Sequence, residues 1–246
     1  MRRFHLPLFT VLLLAAPILQ AGSLSDFGKS VMQQYGTQQS SGSALPTSEI
    51  AEGIKQALAK GTRTAVNQLG RSGGFWGNPS TQIPLPASIA KAESFLDKAG
   101  AGAQLDQLHE SINRAAEQAV PVAADVFSQA VQKLTLNDVR GILNGPQDAA
   151  TQYFKRTTSS TLTAKFEPIV ARVTAKVGLA QKYNQVMSAA GPMASLLGGK
   201  VNLNDYVTQQ TLNALFVEVA SEEKSIRTNP AARTTEVLKK VFANGG

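Results

Sequence analysis

From Thr47 onward apolar residues return every three or four positions, and nowhere do they alternate with polar ones between turn dipeptides. A period near 3.6 gathers such residues on one stripe of a helix, whereas a half-buried strand needs a period of two, so the chain reads as all-helical. The first segment carries Ile50, Ile54, Ala57, Leu58, Ala65 and Leu69, with Thr47 or Ser48 as the expected N-cap, Gly70 as the stop and Gly61 as a weak middle. Arg71 to Pro86 follows, holding Gly73, Gly74, Gly77 and Pro79 and then Ile83-Pro84-Leu85-Pro86. Residues before proline avoid the helical region, so this stretch is expected to be the one long loop.

Helices resume at Ala87 to Ala99, closed by Gly100, and again over Leu105, Leu108, Ile112 and Ala116 toward Pro121. Pro121 suits the first turn of a helix bearing Val122, Val126, Phe127, Ala130, Val131 and Leu134. Thr135-Leu136-Asn137-Asp138 has the form of a capping box, opening a short helix that ends near Asn144-Gly145. Asp148 is the expected cap of the helix through Tyr153 and Phe154. Leu162, Phe166, Ile169, Val170, Val173 and Val177 then form the strongest apolar stripe, interrupted by Pro168 and ended or bent at Gly178. After Tyr183 to Ala190, Gly191-Pro192 to Gly199 reads as loop. Asn204 or Asp205 is expected to cap a helix with Val207, Leu212, Leu215, Phe216, Val219 and Ile226, stopped by Asn229-Pro230. Thr234 or Thr235 restarts a last short helix with Val237, Leu238, Val241 and Phe242. The expected architecture is an irregular multi-helix bundle of about eight helices in a single domain, 47–246, without an internal repeat.

The first 46 residues have a different texture. Arg2 and Arg3 followed by the apolar run Leu6 to Leu19 read as a secretory signal peptide over 1–21, with cleavage expected near Ala21. Pro7 and Pro17 break that run, while a spanning helix wants roughly 20 apolar residues in succession. Residues 22–46, rich in Ser, Gln and Gly, read as a flexible N-terminal lead, with a short helix feasible around Phe27 to Tyr35. The expectation is thus a periplasmic protein with no transmembrane segment in its mature chain.

No cysteine is present. That removes lipidation at a cleavage-site thiol, disulfide staples, thiolate catalysis and cysteine-based metal sites together. The formal charge is +7, and loss of Arg2 and Arg3 leaves 22 basic against 17 acidic residues, about +5. Basic residues are spread along the chain rather than run together, so the field is weak and a nucleic-acid partner is not expected behind an export signal.

Several stretches in order carry a family resemblance: Phe75-Trp76-Gly77-Asn78-Pro79, Asn113-Arg114-Ala115-Ala116-Glu117, Thr135-Leu136-Asn137-Asp138, Ala149 to Phe154, Val177-Gly178-Leu179 with Tyr183-Asn184, Asp205-Tyr206-Val207-Thr208 and Glu222 to Arg227. From about Glu52 to Phe242 the chain resembles the secreted proteobacterial proteins grouped as domain of unknown function 4197. Thr211-Leu212-Asn213 departs from that pattern, which has Ala-Leu-Asp there. The resemblance implies export and a helical fold and assigns no role to any residue.

The residues themselves offer four clusters. Arg114 and Glu117 stand three apart, able to pair on one helix face, with Asn113 and Gln118 beside them. They form either a structural ion pair or, if desolvated, an anchor for a carboxylate or phosphate. Glu222, Glu223, Lys224 and Arg227 form the second. Glu223 and Arg227 have pairing spacing, whereas the adjacent carboxylates project about 100° apart and do not converge by themselves. Tyr153, Lys155, Arg156 and Thr157 place an aromatic, two cations and a hydroxyl together, suited to an anion if Arg156 turns inward. The plainer reading makes Tyr153 and Phe154 core. Tyr183-Asn184 is a further polar wall. Finally, Trp76 and Asn78 lie in a Gly-rich loop that is either a binding tip or a segment tucked on the bundle.

His5 and His109 are the only histidines, and no EF-hand, paired-His zinc motif, phosphate loop or nucleophile elbow occurs, so neither metal nor cofactor is expected. His109 reads as a structural histidine on the Leu105, Leu108 and Ile112 face. The leading expectation is a periplasmic binding or protein-interaction module for an unknown protein, an envelope component or a small ligand. Trp76, Asn78, Arg114, Glu117, Tyr153, Arg156 and Arg227 are its candidate residues. Two alternatives stand beside it. One is an enzyme without a recognisable motif, using Glu117, Asp138 or Glu223 as acid or base and Arg114 or Arg156 as anion holder. The other is a carrier of a lipid or other hydrophobe.

Overall fold

A computed structural model describes residues 46–196, 201–229 and Lys239. The expected signal peptide, nearly all of the lead and, apart from Lys239, the last short helix from Thr234 or Thr235 lie outside the described residues. Among the described residues there are eight α-helices and no strand: α1 Thr47–Gly70, α2 Ala87–Lys98, α3 Gly102–Ala119, α4 Ala123–Gln132, α5 Leu136–Asn144, α6 Ala149–Lys176, α7 Leu179–Ala190 and α8 Leu203–Thr228. Short 3-10 turns at Val120–Val122 and Gly191–Leu196 link α3 to α4 and follow α7. Pro121 opens the first of these turns, where its missing N–H costs nothing.

The two longest helices, α6 and α8, share the most extensive contact, and α8 also packs on α1. Gly61, the expected weak point, is buried and leaves α1 unbroken; a Cβ there would stand 3.3 Å from Ile226 Cδ1. The missing side chain is what lets α1 and α8 approach so closely. Phe127 of α4, Phe154 of α6 and Phe216 of α8 form the centre, with ring centroids 5.2 Å (Phe127–Phe154) and 6.2 Å (Phe127–Phe216) apart in edge-to-face arrangement. Each such side chain, fully buried, contributes about 1.5–3 kcal/mol relative to leaving it in water. With no cysteine in the chain, packing of this kind carries the fold.

Three local expectations are corrected. α6 is a single helix of 28 residues, running through the Tyr153–Phe154 segment, the Thr157-Thr158-Ser159-Ser160-Thr161 run and Pro168. The hydroxyls that weaken this run as a helix former bond back to carbonyls one turn earlier, Thr157 to Tyr153 O at 2.9 Å, Thr158 to Phe154 O and Ser159 to Lys155 O both at 2.6 Å. Pro168 is exposed, and so is Ala164, whose carbonyl loses its helical donor on the watered face.

Helix starts are the second correction. α1 begins at Thr47 with Pro46 as N-cap and no side-chain cap, because Pro46 fixes the entry (φ −51°, ψ 138°) by itself. Third, Asn202 rather than Asn204 or Asp205 caps α8, its Oδ1 accepting from Asn204 N at 3.2 Å and Asp205 N at 3.3 Å. The capping box on Thr135 and Asp138 forms as expected, and Gly178 ends α6 in the left-handed region at φ 65°.

Candidate functional site

The loop between α1 and α2 is strapped to α3 by side chains projecting from that helix. Asn113, fully buried, accepts from Ile83 N at 2.8 Å and donates to Ile83 O at 2.9 Å. One carboxamide thereby serves both polar groups of a residue that the following Pro84 holds extended. His109 Nε2 lies 2.8 Å from the same Ile83 carbonyl, and its ring meets Trp76 edge-on at 4.9 Å. From α8, the Tyr206 hydroxyl donates to Pro84 O at 2.8 Å. Within the loop, Asn78 Oδ1 accepts from Ser80 N at 3.1 Å, and Gln82 Nε2 donates to Trp76 O at 2.9 Å. Trp76 and Asn78 are therefore half-buried parts of a bonded loop, and Phe75 beside them is fully buried.

Glu117 holds the other end of this loop. Its side chain is only 5% exposed; Oε1 accepts from Phe75 N and Trp76 N, each at 3.2 Å, and Oε2 accepts from Arg114 Nη1 at 2.9 Å. Arg114, 34% exposed, also donates to Ser72 Oγ at 2.8 Å and to Glu110 Oε1 at 3.3 Å. Hydrogen bonding to Glu117 raises the Arg114 pKa above its already high value, with Glu110 adding to it. Arg114 and Glu117 also line a surface groove of about 540 Å³ beside Pro121. Two carboxylates surround one guanidinium here, so this arginine is poorly placed to hold an anion.

Glu223 and Arg227 form the second centre. Glu223, with a side chain 6% exposed, points from α8 to the start of α6. Its Oε1 accepts from Ala150 N at 3.0 Å and from Arg227 Nη2 at 2.9 Å; its Oε2 accepts from Thr151 N at 2.9 Å and Thr151 Oγ1 at 2.8 Å. Arg227 Nη2 also reaches Ile142 O at 2.8 Å. Asp148, the expected cap of α6, makes no capping bond and instead accepts from Gln152 Nε2 at 2.9 Å. A carboxylate from another helix takes that place, favoured by the partial positive charge of the helix start. Glu222 diverges from its neighbour, accepting from Gln68 Nε2 of α1 at 3.1 Å.

The third group lies where α5 meets α6. Tyr153 is buried beside Phe154, and burial, followed by the Asp138 charge, pushes its hydroxyl pKa up. Arg156 is exposed rather than turned inward. Asp138 is held below its usual range first by the Thr135 hydroxyl and then by the Thr135 N–H, with Arg156 contributing. The seven sequence-derived candidates thus fall into three separate groups: Trp76, Asn78, Arg114 and Glu117; Arg227 with Glu223; and Tyr153 with Arg156. Among the described residues no group of three or more His, Asp or Glu side chains is placed to hold a metal ion.

Sequence reasoning missed two features. One is a cleft of about 500 Å³ where the last turns of α6, the first turn of α7 and the start of α8 meet. Among the described residues its polar lining is uncharged: Thr174, Gln181, Tyr183, Asn184, Asn202 and Asn204. The closeness of Tyr183-Asn184 to Val177-Gly178-Leu179 was the only signal, since the cleft depends on three helix ends meeting.

The other is Glu218, buried on α8 one turn before Glu222. Burial raises its pKa, the Glu222 charge raises it further, and Arg71 opposes both. Above the ordinary carboxylate range the folded state therefore holds this proton more tightly than the unfolded chain. The Glu218 contribution is present at low pH and lost as pH rises through the folded pKa. Glu218→Gln should raise the melting temperature at pH 7 by about 2–4 °C, and the gain should shrink toward pH 4.5. Thermal melts of both proteins across that range check it; a gain that does not depend on pH would contradict the assignment.

No helix among the described residues is long and apolar enough to cross a membrane. No curated protein and no solved structure matches the chain. A family model does match, over residues 44–243, a range that includes the loop and both clamping carboxylates described above. The chain is a member of the family described as protein of unknown function (DUF4197).

Proposed function

We propose that this protein is an exported, periplasmic binding module that holds a small ligand in the cleft between α6, α7 and α8 and performs no chemistry on it. The observation that carries this reading is the contrast between the buried carboxylates and the cleft. Glu117 and Glu223 are each engaged by several donors that fix a loop or a helix start, which leaves them ill suited to exchange protons with a substrate. The cleft, by contrast, offers uncharged hydrogen-bonding groups on apolar walls, the usual make-up of a ligand pocket.

A broad protein-docking face finds less support. The large apolar side chains exposed among the described residues, Phe95, Leu136 and Val217, sit on three different helices. Among the described residues a hydrophobe carrier also finds less, since the mainly apolar pocket where α1, α5, α6 and α8 meet measures about 30 Å³, room for about one water molecule. Native mass spectrometry of the protein isolated from the periplasmic fraction, with N-terminal sequencing, tests the proposal. The expected result is a chain cut near Ala21 that retains a small molecule. An intact precursor in the cytosolic fraction would overturn the export reading, and turnover of a substrate blocked by Glu117→Gln would overturn the non-catalytic one.

A further inference from the structure

The first turn of α7 forms one wall of the cleft. Its N-cap, Gly178, has no side chain with which to accept a hydrogen bond, and the first helical bond back to it comes from Lys182 N at 3.0 Å. Leu179, Ala180 and Gln181 therefore present their N–H groups without an acceptor among the described residues, at the positive end of the helix dipole.

A second observation is independent of the helix end. Tyr183 is 8% exposed and lines the same cleft, yet no described residue bonds its hydroxyl. Tyr183 lies one turn after Leu179, and helical side chains lean toward the helix N-terminus, so this hydroxyl is carried toward those N–H groups. Asn204, across the cleft, has its Oδ1 taken by the Thr174 hydroxyl at 2.7 Å, which leaves its amide nitrogen to donate. Lys182, the nearest cation in sequence, is turned away to Ser111 Oγ at 2.9 Å.

The N–H, hydroxyl and amide groups just named all donate into the cleft, and among the described residues no Lys, Arg, Asp or Glu lines it. Such a set favours an oxyanion, and because the attraction comes from backbone dipoles rather than from full positive charges, it suits a monoanion better than a dianion. We propose that the α7 end of the cleft binds the carboxylate of a small organic acid, through the N–H groups of Leu179 to Gln181 and the Tyr183 hydroxyl. This rests on the cleft being the binding site proposed above.

Amide chemical shifts of the 15N-labelled protein, followed while sodium acetate is added against matched sodium chloride, test it. Parallel titrations use inorganic phosphate and glycerol. Acetate should move the Leu179, Ala180 and Gln181 resonances along a saturable curve, and Tyr183→Phe should weaken that binding by about tenfold, the loss expected for one hydrogen bond to a charged group. Because no described residue bonds the hydroxyl, the variant should keep the wild-type melting temperature. Saturation by phosphate but not acetate, or equal acetate binding by Tyr183→Phe, would overturn the inference. Shifts at cleft residues with glycerol alone would overturn it while supporting the cleft as a binding site. No shift with any of the three probes, together with a ligand-free mass spectrum, would bring down both.

Discussion

Glu223→Ala should lower stability by about 3–5 kcal/mol, the cost of deleting one partner of a buried, hydrogen-bonded ion pair. The carboxylate accepts from two backbone N–H groups, one hydroxyl and a guanidinium. Alanine would leave the Ala150 and Thr151 N–H groups buried without the acceptor they now have, and Arg227 would lose its bonds to Glu223. Water has little room to substitute, since the adjoining pocket is about 30 Å³. Glu223→Gln keeps one acceptor oxygen and should lose less. Urea unfolding followed by far-ultraviolet circular dichroism measures both. A loss under 1 kcal/mol for the alanine variant would mean that α6 does not depend on this cap. Replacing Glu223 and Arg227 together by Met should recover part of the loss, because neither member of this pair then leaves its charge uncompensated in the interior.

The second large effect is local rather than global. Glu117→Ala removes the acceptor shared by Phe75 N and Trp76 N and should cost about 2–3 kcal/mol. The α1–α2 loop should loosen while the helices persist, because Asn113 still grips Ile83 at its other end. Trp76 is the only tryptophan, so its emission should shift to longer wavelength with the helical circular dichroism signal unchanged. Proteolytic cleavage within residues 71–86 should also accelerate. An unshifted emission spectrum would show that the His109 and Gln82 contacts are sufficient to hold the loop.

What the sequence revealed depended on how near the interacting residues lie along it. The capping box joins residues three apart, and the Arg114–Glu117 pair likewise, so both were legible from spacing. The cap of α6 was not, because Asp148 had the correct type and position while the group that acts stands 73 residues from Ala150. The continuity of α6 was hidden for a different reason: Pro168 reads as an interruption, and only its place on the exposed face of a formed helix lets the turn go without its bond. The cleft and the loop clamp were equally invisible, being properties of helix ends and a loop brought together by packing. For that reason the strongest charged motifs in the sequence turned out to be fasteners, and the uncharged Tyr183 and Asn204 became the residues with donors to spare.

The clamp at Glu223 also imposes an order in time. Ala150 and Thr151 emerge from synthesis more than seventy residues before the acid that secures them. A growing chain therefore carries an uncapped α6 while the next seventy-odd residues are added, and α8 acts as the latch that closes behind it.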